Sequence, residues 1–207
     1  MSHNTLIHRS IRPVIRVAAR TRLTPNHLTA ARLATALASA ILVGAGDHRW
    51  FGAAAALFIV SFLLDRADGE LARLTGKFSV TGHGFDLCSD YAANVTIFLA
   101  LGFGLRSELG DGAVVLGAIG GLSIVAIFAL VDRIERVEGP GATIFPSFAY
   151  CDPDDAMVIV PILIWCGAET FVLTAVAIAA PSFFAWTCWR LRRQLPRDAM
   201  LRSGRSF

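Results

Sequence analysis

Four aspartates stand at the junction between two strongly apolar segments, and this placement restricts the fold more than any other feature of the chain. The stretch from Asp65 to Asp90 reads D-R-A-D-G-E-L-A-R, eight further residues, then G-H-G-F-D-L-C-S-D. Asp65 and Asp68 are three apart and Asp86 and Asp90 are four apart, so on two helices each pair shares one face. A helical hairpin then brings all four acids to one end. A carboxylate driven to mid-bilayer costs about 2.5–3.5 kcal/mol, so such groups require cations or water and mark function. Hard oxygen ligands of this kind suit Mg²⁺, Mn²⁺ or Ca²⁺.

The surrounding composition places this hairpin in a membrane. A length of 207 residues suits one domain, but 55% hydrophobic residues and a mean hydropathy of +0.58 are too apolar for a small soluble protein. The predicted fold class is an all-α integral membrane protein with six transmembrane helices and an N-terminal amphipathic juxtamembrane helix. Apolar segments cover 28–44, interrupted only by Arg32, and 50–64, continuing helically through Asp65 to Arg73. A short polar linker at 74–81 precedes a third segment at 85–105 that begins with Asp86 and Asp90. The fourth, 112–131, carries Gly112, Gly117, Gly120 and Gly121, which permit close helix contact. After a polar stretch at 132–155, the 34 residues of 156–189 are too long for one span. Gly167-Ala168-Glu169 is the expected break, giving a short fifth helix and a sixth that ends at Arg190.

Three parts follow: a basic N-terminal segment at 1–27, a six-helix domain at 28–190 and a basic tail at 191–207. The first part lacks the long apolar core of a cleaved signal peptide and is expected to remain in the mature protein. In it, Ile7, Ile11, Val14, Ile15 and Ala18 recur at helical spacing while Arg9, Arg12, Arg16 and Arg20 line another face. That pattern suits a helix lying on an anionic membrane surface, with a solvated basic tail as the alternative. No aromatic platform accompanies the arginines, which argues against nucleic acid as a partner. With six spans and the N-terminus inside, only Arg49 and Arg106 of the 19 Lys and Arg residues fall in outside loops. The acids then face the cytoplasm. Cys88, Cys151, Cys166 and Cys188 form no C-x-x-C pair and read as free thiols.

Asp65, Asp68, Gly69, Ala72, Arg73, Gly82, Asp86 and Asp90 fill every fixed position of D-x2-D-G-x2-A-R-x8-G-x3-D-x3-D. This pattern resembles the signature of class I of the CDP-alcohol phosphotransferase family, and Thr24-Pro25-Asn26-His27-Leu28-Thr29 is similar to the family's T-P-N-x-L-T opening. The resemblance implies transfer of a substituted phosphate from a CDP-alcohol to an acceptor hydroxyl with release of CMP, in phospholipid biosynthesis. It implies a two-metal site of Mg²⁺ or Mn²⁺ held by Asp65, Asp68 and Asp86. Asp90 is then the general base and also a candidate ligand of the second metal. Gly69, Ala72, Arg73, Gly82 and Asn26 would meet the nucleotide, and Arg133 and Arg136 are candidates for binding a phosphorylated acceptor. Arg73 is equally suited to pinning Glu70. The family likeness further implies a homodimer, with a bacterial cytoplasmic membrane as the expected location. CDP-diacylglycerol, the commonest donor in the family, is the expected donor, with a soluble CDP-alcohol as the alternative. Leu87-Cys88-Ser89 between the last two acids and Tyr91 after them depart from the family's phosphatidylglycerophosphate, phosphatidylinositol-phosphate and amino-alcohol subgroups.

Competing readings attach to several of these residues. The acids could instead be structural ion-pair partners of Arg32, Arg66 or Arg73, or belong to a divalent-cation transporter, although no second copy of the acid hairpin is present. His83 is expected to be a solvent-facing turn residue and His27 an interfacial one, rather than metal ligands. Asn26 suits capping of the first helix as well as nucleotide contact. Glu169 is expected on the far side of the membrane, at the tip of a turn.

Overall fold

The structure is a computed structural model that describes residues 15, 19, 21, 23–77, 79–138 and 157–203. Among these residues all regular structure is helical. Helix α1 spans Pro25–Gly44, α2 Phe51–Thr75, α3 Val80–Gly104, α4 Arg106–Leu109, α5 Gly112–Glu138, α6 Ile159–Trp165 and α7 Glu169–Ser203. Among the described residues five segments are long and apolar enough to cross a membrane: Pro25–Gly44, His48–Thr75, Thr81–Gly104, Gly112–Arg136 and Glu169–Arg192. The expected short fifth helix corresponds to α6, and residues 139–156 before it lie outside the described residues. So does most of the expected N-terminal helix, although Ile15 is buried against Ala67 and Leu71 of α2.

Local sequence accounts for the helix ends. Pro25 opens α1, where its missing N–H costs nothing, and the backbone N–H of Thr24 donates to Nδ1 of His27 at 3.4 Å. Asp47 caps the short 3₁₀ turn His48–Trp50 by accepting from the Arg49 backbone N–H at 3.1 Å. Helix α2 stops at Gly76, whose φ of 66° is left-handed. Helix α3 begins five residues earlier than the apolar pattern predicts, at Val80 rather than residue 85. Ser79 is the reason: its Oγ accepts the Gly82 N–H at 2.9 Å, and this cap carries the helix through a Gly-rich turn of poor propensity. The predicted break at Gly167 is present, with φ 74°, and Glu169 opens α7. That helix does not end at Arg190 as expected but runs on to Ser203. Arg, Leu and Gln are good helix formers, so the change from apolar to basic residues ends the span without ending the helix.

Packing follows from small residues and buried hydroxyls, as expected where lipid provides no hydrophobic drive between helices. Helices α1 and α2 form an antiparallel pair linked by two buried bonds, Ser39 Oγ to the Ala54 carbonyl at 2.7 Å and Ser61 Oγ to the Arg32 carbonyl at 3.0 Å. Helix α3 runs parallel to α1, because Gly82 lies by Asn26 at one end while Gly104 meets the Val43 carbonyl at the other. Helix α5 packs antiparallel on α3 through Gly117 against Phe98 and Gly121 against Val95, and α7 packs on α5 where Gly120 faces Val176. Helix α6 lies beside α2. Phe98, Ile97, Leu101, Leu105, Leu173 and Val43 are fully buried between these helices, while Ile41, Leu122, Phe171 and Ile178 point outward as a lipid-facing surface would require.

The two ends of the bundle differ. At one end the acids of α2 and α3 meet α1. At the other, the His48 ring lies between two carboxylates, with Nε2 2.6 Å from Glu108 Oε1 and Nδ1 2.9 Å from Glu169 Oε1. One imidazole thereby ties the α1–α2 connection to α4 and to the start of α7, and Glu169 sits on the far side as expected.

A side chain at Gly117 would run into the Phe98 backbone carbonyl, whereas at Gly112 nothing lies within 4 Å. Gly117→Ala should therefore destabilise the fold by about 1–3 kcal/mol through overpacking. Gly112→Ala should leave the thermal midpoint of the detergent-solubilised protein unchanged, and equal midpoints for the two variants would refute this account of the α3–α5 contact.

Candidate active site

Three helices build the acidic end, each for a reason visible in its spacing. Asp65 and Asp68 lie one helical turn apart near the end of α2, and Asp86 and Asp90 one turn apart near the start of α3. The α2–α3 turn, from Gly76 to Ser79, folds the two pairs against each other. Oxygens of Asp65, Asp68 and Asp86 lie within 4.8 Å of one another, a group that leaves Asp90 out. Asp68 is only 5% exposed, and its Oδ2 accepts a 2.7 Å bond from the hydroxyl of Thr29 on α1.

Arg32, a residue of α1 that is 4% exposed, sits within this cluster, and Arg66 Nη1 also lies 3.8 Å from Asp65 Oδ2. The Nη1 of Arg32 lies 2.8 Å from Asp65 Oδ1 and 3.0 Å from Asp86 Oδ1, while its Nη2 donates to Asp90 Oδ1. Paired Arg side chains satisfy carboxylates in two directions at once because the guanidinium is a planar fork. Two further bonds position the participants. Ser61 Oγ donates to the Arg32 carbonyl, which registers α1 against α2, and Asn94 Nδ2 donates to the Asp90 carbonyl at 2.9 Å.

The remaining residues singled out in the sequence divide into those near this cluster and those apart from it. Arg73 forms a two-pronged pair with Glu70 Oε2, Nε at 3.2 Å and Nη2 at 3.0 Å, so it pins a glutamate that is 5% exposed. Gly69 faces that guanidinium: a Cβ there would lie 3.6 Å from Arg73 Nη1. Ala72 is half-buried on the same helix. A Cβ at Gly82 would fall 2.7 Å from Ser79 Oγ and 3.0 Å from Asn26 Oδ1, which explains a glycine there and brings Asn26 beside the first turn of α3. Thr24, rather than Asn26, occupies the cap position of α1. His27 is exposed and serves the α1 N-terminus. His83 is exposed too, but it sits in the first turn of α3 and not in a loop.

Arg133 and Arg136 lie near the end of α5, both exposed; Arg136 is engaged by Asp132 at 2.7 Å. Cys88, Cys166 and Cys188 are free thiols as expected, and Cys151 lies outside the described residues. Sequence reasoning missed Thr29 and treated Arg32 only as a rival partner for the acids. The signal was present: Arg32 is the lone charge within an Ala-rich apolar segment, and Thr29 precedes it by one turn.

Three clustered carboxylates with no nitrogen or sulfur donor form the hard oxygen set that Mg²⁺ or Mn²⁺ prefers, so the residues fit a divalent metal. The model of the family described as CDP-alcohol phosphatidyltransferase matches residues 22–179. No curated protein shows significant similarity to the chain. The matched region begins just before α1 and ends within α7, and so takes in every residue of the acidic cluster.

The hydroxyl of Thr29 is the donor that the buried Asp68 carboxylate receives from α1, and a carboxylate left buried without it is misplaced as a ligand. Thr29→Val should weaken Mn²⁺ binding about tenfold, and Asp65→Asn or Asp86→Asn should abolish it, as read by electron paramagnetic resonance on the purified protein. Wild-type affinity in Asp65→Asn would defeat the metal assignment.

Proposed function

Because the chain belongs to the CDP-alcohol phosphatidyltransferase family, we propose that it transfers the phosphatidyl group of CDP-diacylglycerol to the hydroxyl of a small acceptor alcohol and releases CMP. The reading is carried by one observation: three acids converge on a common point while the fourth stands beside them on Arg32. Asp65, Asp68 and Asp86 would hold the metal. Mg²⁺ or Mn²⁺ bound there supplies positive charge to offset what develops on the donor's pyrophosphate as CMP leaves.

The acceptor oxygen forms a bond to the phosphorus nearer the lipid, the bond from that phosphorus to the bridging oxygen breaks, and CMP departs with the electron pair. The hydroxyl proton passes to the Asp90 carboxylate, the one acid outside the ligand cluster. Asn26 and Gly82, adjacent at the mouth between α1 and α3, and Gly69 and Ala72 on α2 line the approach for the nucleotide. Arg73 shapes that approach by restraining Glu70. For a phosphorylated acceptor, Arg133 is the better of the two α5 candidates because Asp132 already engages Arg136. The apolar outer surface suits the donor's acyl chains. The acids face the cytoplasm of a bacterial cell in this reading, where a nucleotide-activated substrate is made, and two copies of the chain associate as a homodimer.

The direct test is CMP release from CDP-diacylglycerol with a panel of acceptor alcohols, including phosphorylated ones. Turnover should require Mg²⁺ or Mn²⁺, stop with EDTA and resume when metal is restored; metal-independent release would defeat the reading. Asp90→Asn should retain metal and donor binding yet lose turnover by about 10²–10⁴-fold, the usual range for a general base. Loss of donor affinity as severe as in Asp65→Asn would instead make Asp90 a ligand. Arg133→Ala should raise the KM for a phosphorylated acceptor while leaving the donor KM unchanged, and equal kinetics would assign Arg133 to membrane anchoring alone.

A further inference from the structure

At the end of the bundle opposite the acids, His48 presents both of its ring nitrogens to carboxylates. Nε2 lies 2.6 Å from Glu108 Oε1 on α4, and Nδ1 lies 2.9 Å from Glu169 Oε1 at the start of α7. An ionised carboxylate only accepts hydrogen bonds, and a neutral imidazole carries a single N–H, so it can serve one of the two and must turn a bare lone pair toward the other. Both contacts are favourable together only when the ring carries a second proton. Other charges near it are already matched among the described residues: Arg49 pairs with Asp47 at 2.9 Å, and Arg106 pairs with Asp111. The adjoining stretches 43–46, 102–105, 112–118 and 159–165 hold no acidic or basic side chain, and the α6–α7 turn adds only the exposed thiol of Cys166. From α2 the imidazole meets the Phe51 ring, with centroids 4.6 Å apart.

The two limbs are not equivalent. The side chains of His48 and Glu108 are 48% and 46% exposed, so water can stand in for either, and an ion pair in that setting contributes little by itself. Glu169 is 8% exposed, and its Oε2 has no hydrogen-bond partner among the described residues. Its charge is answered by His48 and by the N-terminus of α7, in whose first turn it stands. We propose that His48 is a proton-operated clasp: doubly protonated, it joins α4 and α7 to the α1–α2 connection, and on giving one proton to water it keeps the other on Nδ1 for the buried Glu169 and lets go of Glu108. The closed clasp holds one proton more than the opened one, so closure is favoured as pH falls and opposed as pH rises. It weakens again below about pH 4, where the glutamates themselves take up protons. In the orientation proposed above, this end lies on the outer side of the membrane, and the clasp answers to acidity there and not in the cytoplasm.

The clasp does not rest on the transferase reading, and its test needs no substrate. The purified full chain, labelled with ¹⁵N at histidine, is placed in lipid nanodiscs, and the ring nitrogens are read by nuclear magnetic resonance. The His48 signals are assigned by their loss in His48→Gln or, if that variant does not fold, by replacing His3, His8, His27 and His83. At about pH 5.5 both nitrogens should be protonated, and at about pH 9, well above the ordinary imidazole range, the proton should remain on Nδ1. The shorter contact to Glu108 would by itself favour Nε2–H, so the tautomer discriminates. A neutral ring at the lower pH, or the Nε2–H tautomer at the higher, would overturn the proposal. Thermal midpoints give a second readout. Between the same two conditions the midpoint should fall by about 2–4 °C more in the wild type than in Glu108→Gln, whose amide can donate to the bare Nε2 and so has no limb to lose. An equal fall in the two proteins would overturn it as well.

Discussion

A carboxylate at the end of a membrane helix must be answered by positive charge, and in this protein the first answer comes from inside the chain. Arg32 carries that charge from α1 into the angle between α2 and α3. Much of the architecture serves to keep it there. The hydroxyl of Ser61 sets the register of α1 on α2, the glycine at position 82 admits α1 alongside α3, and Thr29 reaches Asp68 from one turn below Arg32. Remove the guanidinium and three carboxylates on two helices lose the group that draws them to a common helix.

The same arrangement links stability to chemistry. Ion pairs buried this deeply contribute little net stability when compared with apolar packing, because desolvation cancels much of the attraction. Their value lies in fixing geometry. The energy holding the helices together comes instead from dispersion between close backbones, as where Gly117 meets Phe98 and Gly104 meets Val43, and from hydroxyl bonds such as Ser39 to Ala54. The acidic end can therefore accommodate an unfavourable density of like charge without being asked to stabilise the bundle.

Much of this was legible in the residues themselves. Spacing alone placed Asp65 with Asp68 and Asp86 with Asp90, because helical periodicity is a local property. The apolar stretches located the spans for the same reason, and Gly167 marked the α6–α7 break. Capping was harder to see. Ser79 starts α3 ahead of the apolar run, since a single hydrogen bond to Gly82 outweighs the weak propensity of the residues between. The far end of α7 was misjudged because hydropathy reports where lipid ends and says little about where a helix does. Least visible was the central place of Arg32 among the acids. It lies some thirty residues or more in sequence from each aspartate it touches, and only the three-dimensional register of α1 reveals which carboxylate each nitrogen reaches.

The opposite end of the bundle bears on how a bulky substrate is admitted. There His48 joins three connections through Glu108 and Glu169, and the backbones of α1 and α3 are nearly in contact where Val43 and Gly104 meet. Helices clamped at one end can splay only at the other, like the arms of tongs. The latch around His48 and the close backbones thus lock the α1–α3 pair at this end, whereas at the acidic end the arms are joined by charge and not by interlocked backbone.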